Sequence, residues 1–168
     1  MRAAPLLAGL ALLAAAACAR APDKPAFNAA RAVDAIRASE VQWNADWKSG
    51  DPGKVVTHFA PDAIVMIPGQ APATGLEAIR SGIAKVMDDP AFAFTFNSEK
   101  VNVAASGDLA ASRGDFTMRG TDPATKAPTS MSGSFVTVYK PQPDGSWKAV
   151  WDIATPGASP PVSPSAAK

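Results

Sequence analysis

The sequence predicts an α+β domain, helices first and a meandering antiparallel sheet afterwards, on three observations. Two stretches in the first half carry apolar residues at helical spacing, and the second half holds four alternating runs rich in Phe, Val, Thr and Trp. A Pro143-Asp144-Gly145-Ser146 turn separates the last two runs, and Asp-Gly between strand-like runs is a strong hairpin signal.

The first helix is expected over 28–49. At about 100° per residue, Val33, Ile36, Glu40, Trp43 and Trp47 share an arc of roughly 80°, while Arg31, Asp34, Gln42 and Lys48 lie elsewhere. Ser49-Gly50-Asp51-Pro52-Gly53 stops it. A short helix follows over 54–59, with Val55, Val56 and Phe59 on its apolar face, and then a strand over 63–67 closed by Pro68-Gly69. The third helix runs over 76–87, with Thr74 or Gly75 near its N-cap and Asp88-Asp89-Pro90 at its end. The four strands are expected over 92–103, 108–119, 131–140 and 147–155. Strict alternation puts Arg113, Asp115 and Thr117 on one face of the second. It puts Asp152 with Val150 and Ala154 on one face of the last, opposite Trp147, Trp151 and Ile153. An Asp inside a strand is disfavoured, so a partner is expected, Arg113 or Lys148.

Residues 1–18 read as a secretion signal. Met1-Arg2 is a charged start, and the apolar run over 3–17 falls short of the roughly 20 residues that a spanning helix needs. The segment from Leu13 to Cys18-Ala19 resembles a bacterial lipobox, with Ala15 where Leu is usual. That resemblance implies lipidation of Cys18 and a periplasmic or outer-membrane-anchored lipoprotein, with plain cleavage near 19–21 as the alternative. Residues 19–27 form a tether, 28–155 the folded domain, and 156–168 a Pro- and Ala-rich tail expected to be disordered.

Composition narrows the chemistry. Cys18 is the only cysteine and His58 the only histidine, so the domain carries no disulfide, thiol nucleophile or His/Cys metal cluster. The formal net charge is +1 with no basic run, which argues against nucleic acid as a partner. No Gly-rich phosphate loop is present, and no cofactor is expected.

Phe59-Ala-Pro-Asp-Ala-Ile-Val-Met-Ile-Pro-Gly69, then Thr74-Gly75-Leu-Glu-Ala-Ile-Arg80, then Gly133-Ser-Phe-Val-Thr-Val-Tyr-Lys through Trp151-Asp152-Ile153 form an ordered set. Together they resemble the nuclear transport factor 2-like superfamily, in particular its SnoaL-like members related to ketosteroid isomerase. The resemblance implies a curved, mostly antiparallel sheet wrapped around about three helices to form a cone-shaped pocket. It implies no single activity, because that fold serves isomerases, dehydratases, cyclases, binders and oligomerisation modules. The isomerase positions are altered: Trp43 stands where the Tyr donor would be, Ile67 where the base would be, and Gly133 where the acid donor would be.

Three groups remain candidates for catalysis: Glu40 on the apolar arc of the first helix, His58, and Asp152. The expected ligand contacts are Trp43, Trp47, Met66, Arg113 and Asp152. The leading expectation is a cell-envelope domain that binds a small apolar or partly polar molecule, touching membrane only through its lipid anchor. An enzyme using Glu40, His58 or Asp152 is the alternative, and a homodimeric interaction module joined through the outer sheet face is a third.

Overall fold

A computed structural model describes residues 27–157. The expected signal, the expected tether up to residue 26 and the expected tail beyond residue 157 lie outside the described residues. Helix α1 spans Ala29–Ser49; the Asn28 side chain accepts from the Arg31 N–H, and Gly50 closes the helix at φ 69°. Helix α2 spans Pro52–Val56, with Asp51 accepting from the Gly53 N–H at 2.8 Å and Pro52 filling the first turn, where no N–H is needed. It stops earlier than the apolar pattern suggests. The Thr57 hydroxyl donates to the Lys54 carbonyl at 2.7 Å, and the chain turns directly into a strand. Helix α3 spans Leu76–Met87, the bounds its periodicity predicts; Gly75 leads into it at φ 81°, a conformation that favours glycine.

The strands are β1 (Phe59–Met66), β2 (Ala73–Thr74), β3 (Ala93–Val103), β4 (Ala110–Thr121), β5 (Pro128–Pro141) and β6 (Trp147–Pro156). They form one curved, open sheet in the order β2-β1-β6-β5-β4-β3. Only β1 and β6 run parallel, a long-range pairing that brings both ends of the domain together. The two-residue β2 carries too little pattern to be read from sequence.

Between Val138 and Tyr139 the β5–β6 register shifts, and this bulge changes which face of β6 is inward. Trp147, expected on the same face as Trp151, is 7% exposed and belongs to the core, whereas Trp151 is 50% exposed on the outer surface. The inner face is then Ala149, Asp152's row and Ala154, with Val150 buried at the bulge.

Helix α1 lies along the inner side of the sheet and is pinned to β3 by one side chain. Asn44 donates to the Phe96 carbonyl at 2.9 Å and accepts from the Phe96 N–H at 3.0 Å, standing in for a neighbouring strand. One end of the cone is filled by Ile36, Trp43, Val55, Ala63, Tyr139 and Ala149. The other end, beneath α3, is not filled.

Candidate functional site

That unfilled end is a cavity of about 240 Å³. Helix α3 contributes Ile79, Gly82, Ile83 and Val86, β1 and the turn after it Val65, Ile67 and Ala73, and the inner sheet face Phe94, Phe116, Met118 and Met131. Sheet alternation explains the last group: every second residue of β3, β4 and β5 points inward, and curvature aims them at one volume. A smaller chamber of about 50 Å³ adjoins it, reaching toward Trp43, Phe96, Phe135 and Thr137. The two share Trp47, Phe94, Phe116, Asp152 and Ala154.

Among the described residues, Asp152 is the one ionisable group on either wall. Its Oδ1 accepts from the Thr137 hydroxyl at 2.8 Å, across the β5–β6 pair in which these residues are directly opposite. Among the described residues its second oxygen has no partner, and it is not sealed from the cavity. Burial among apolar groups pushes its carboxyl up to about 6, against the pull of the Thr137 hydrogen bond toward the ionised form. The expected ion pair with Arg113 or Lys148 does not form. Arg113 lies on the outer face and pairs with Glu99 at 2.6 Å, and the Lys148 ammonium donates to the Thr57 carbonyl.

The other two catalytic candidates sit outside the cavity wall. Glu40 is buried behind it, accepting from the Tyr139 hydroxyl at 2.9 Å; Ser112 in turn donates to the Tyr139 oxygen at 3.5 Å. Burial, then the Glu40 charge, holds the Tyr139 phenol well above its ordinary value. The side-chain partner of Glu40 is thus a neutral phenol rather than a cation. His58 lies just past α2 rather than on it, stacked on Trp43 with ring centroids 5.1 Å apart. Its Nε2 is 2.7 Å from Asp46 Oδ2 and its Nδ1 3.4 Å from Ser39 Oγ. Burial pushes the imidazole down, outweighing the Asp46 hydrogen bond and charge, so it is neutral and donates Nε2–H to an ionised Asp46. Burial would raise Asp46, but the hydrogen bonds from His58 and Gln42 hold its carboxyl below the usual range. Ser39, His58 and Asp46 thus share the order of a nucleophile triad, yet none of them lines the cavity.

Of the expected ligand contacts, Trp43, Trp47 and Asp152 line the chambers. Met66 does not; it pairs with Ile153 and shares the outer face of the sheet with Arg113. Ile67, the altered base position, is a cavity wall that takes no proton. Thr137 and the Phe94, Phe116, Met118 and Met131 wall were not singled out from sequence. Their parity with Asp152 becomes visible only once the register across β4, β5 and β6 is known. No group of three or more His, Cys, Asp or Glu among the described residues could hold a metal ion.

Helices laid into a curved, open sheet with a pocket at one end define the nuclear transport factor 2-like class. The SnoaL-like domain model matches residues 41–150, and the chain belongs to that family. Solved structures of similar fold include a ketosteroid isomerase-like protein from Erwinia carotovora atroseptica, 20% identical, with TM-score 0.68 over 79% of this chain and 100% of that one. An NTF2-like protein with a cystatin-like fold from Novosphingobium aromaticivorans is 21% identical, with TM-score 0.63 over 82% of this chain and 86% of that one. An NTF2-like superfamily protein from Salmonella enterica serovar Typhimurium is 16% identical, with TM-score 0.63 over 82% and 99%. No curated protein matches.

Proposed function

We propose that this chain binds a small, largely apolar molecule in the cavity beneath α3, with Asp152 as its polar anchor. The observation that carries the reading is a 240 Å³ apolar space whose wall holds one carboxyl. A pocket of mostly apolar lining with few convergent polar groups is the usual form of a small-molecule site. Thermal-shift measurements against a panel of two-ring aromatic compounds test it. Several should raise the melting temperature of the native protein and none that of Ala154→Phe, which fills space common to both chambers. A panel with no stabilising compound, or stabilisation that Ala154→Phe leaves intact, sinks the reading.

Catalysis is the second reading, and it rests on Asp152 alone. A carboxyl pushed up to about 6 and open to an apolar cavity has the form of a general acid or base near neutral pH. Hydrogen–deuterium exchange at the α-carbon of 2-tetralone tests it; equal rates with the native protein and Asp152→Asn dispose of it.

The charged start, short apolar run and Cys18 support export with a lipid anchor, and mass spectrometry of the mature N-terminus from an expressing bacterium tests that. Val136, Trp151 and Ile153, exposed side by side on the outer sheet face, support a second copy of this chain as partner. The rim bearing both Arg113 and Glu99 suits such a self-match. Light scattering should report a dimer that Trp151→Lys dissociates; a monomeric native protein rules it out.

A further inference from the structure

Asp152, half-buried in the cavity wall, lacks the partner that a carboxylate in apolar surroundings ordinarily has. Its Oδ1 is held by a neutral hydroxyl, its other oxygen is open to the cavity, and no Lys, Arg or His is among the residues lining either chamber. Buried charges are normally paired, because an isolated one in apolar surroundings is expensive. Among the described residues, the neighbouring elements turn no cation toward the cavity. Helix α3 presents Ile79, Gly82, Ile83 and Val86 to the cavity, β1 presents Phe59 and Val65, and β4 presents Phe116 and Met118. The titratable neighbour on β5 is Tyr139, a neutral phenol whose hydroxyl donates to Glu40 of α1, and the Glu40 carboxylate behind it would repel rather than neutralise an anion.

The surroundings are also aromatic where the two chambers meet. Trp47, Phe94 and Phe116 line both, as Asp152 does, with the Trp47 and Phe94 ring centroids 4.8 Å apart and those of Phe94 and Phe116 5.9 Å apart. Aromatic faces attract cations, most strongly where water is excluded. One anion without a counter-ion, set among rings inside an apolar wall, matches a specific chemistry.

We propose that the cavity selects an amine: an apolar molecule carrying one protonated amino group, which donates to the open oxygen of Asp152 while its body lies along α3 and the Phe and Met residues of the sheet. This rests on the small-molecule reading above and names the ligand class. An ammonium supplies the charge, the hydrogen-bond donor and the cation for the rings together. A hydroxyl supplies only the donor.

Three probes of nearly equal shape separate these contributions: 2-(aminomethyl)naphthalene, 2-naphthalenemethanol and 2-ethylnaphthalene, titrated into the protein at about pH 8, where the carboxyl is ionised and a primary amine protonated. The amine should bind about tenfold or more tighter than either neutral probe. Asp152→Asn, a replacement of the same shape, should bring the amine to within about twofold of the alcohol while 2-ethylnaphthalene still binds. At about pH 5, below the value near 6 held by Asp152, the native protein should lose most of its preference. An amine that binds no tighter than the alcohol, or a preference that survives Asp152→Asn, overturns the amine assignment while 2-ethylnaphthalene binding upholds the cavity. Failure of all three probes to bind overturns the cavity reading and the assignment with it.

Discussion

At the scale of single residues, Asp152 and Thr137 form the unit on which the site depends. The hydroxyl of Thr137 donates to the ionised carboxylate and so favours it, while the apolar wall disfavours it more. Removing the donor leaves burial unopposed. Thr137→Val should therefore raise the Asp152 carboxyl further above about 6, read from the pH dependence of its ¹³C carboxyl resonance. A downward or absent shift means the hydrogen bond does not stabilise the ionised form. Asp152 itself was legible in the sequence, since an Asp within a strand asks for an explanation. Its partner was not. Arg113 and Asp152 alternate correctly each within its own strand, but only the β4–β5–β6 register tells that the two point to opposite faces. Glu40 shows the same limit: its place on the apolar arc was visible, while Tyr139, 99 residues away in the chain, was not.

At the scale of elements, local rules succeeded where local energetics decide. Helix α3 has a clear apolar stripe, a glycine entry and an Asp-Asp-Pro exit, and it forms at its predicted bounds. Helix α2 ends at Val56 because a threonine hydroxyl captures a carbonyl, a competition that apolar spacing does not report. The parity change in β6 escaped for a related reason, because a bulge is settled by the partner strand. Gly82 on α3 illustrates how element-level energetics can be tested. A Cβ there would meet no heavy atom within 4 Å, and φ does not demand glycine. Gly82→Ala should accordingly stabilise the protein by about 0.5–1 kcal/mol in urea denaturation, mainly by stiffening the unfolded chain. Gly114 of β4 is the opposite case: an added Cβ would collide with the backbone of Asn97 and Ser98 on β3. Gly114→Ala should cost about 1–3 kcal/mol by the same measurement, and a neutral result would mean that β3 can move outward freely. Asn44, the bracket between α1 and β3, should cost about 1–3 kcal/mol as Asn44→Ala, because the Phe96 N–H and carbonyl both lose a partner.

For the molecule as a whole, buried His58 and half-buried Asp152 titrate in opposition, and this makes the acid response of the fold a test of the site. An acid whose pKa rises on folding holds its proton more tightly in the native state, so acidification favours folding. For Asp152, moved from 3.8 to about 6, the burden of ionisation is absent below 3.8 and complete above about 6. A shift of that size corresponds to about 3 kcal/mol at most, since each unit is worth about 1.4 kcal/mol. His58 acts in the other direction. Its imidazole is neutral in the fold, stacked on Trp43 and bonded to Asp46, with Lys148 adding repulsion. In the unfolded chain it takes a proton near its ordinary 6.5, so stability falls as pH drops below that value. Between about pH 4 and 6.5 the two contributions offset each other in the native protein. Asp152→Asn removes one and leaves the other. The variant should be more stable than the native protein at about pH 8, close to it at about pH 4, and should lose stability steadily on acidification through the window where the native curve is flatter. Urea midpoints taken across that range give both curves. Parallel profiles would mean that Asp152 ionises at no cost, which requires a cationic partner or ready access to bulk water. Either would remove the reason for assigning the cavity an amine. A crossing or converging pair of curves would instead tie the cost of ionisation to the carboxylate whose counter-ion the ligand is proposed to bring.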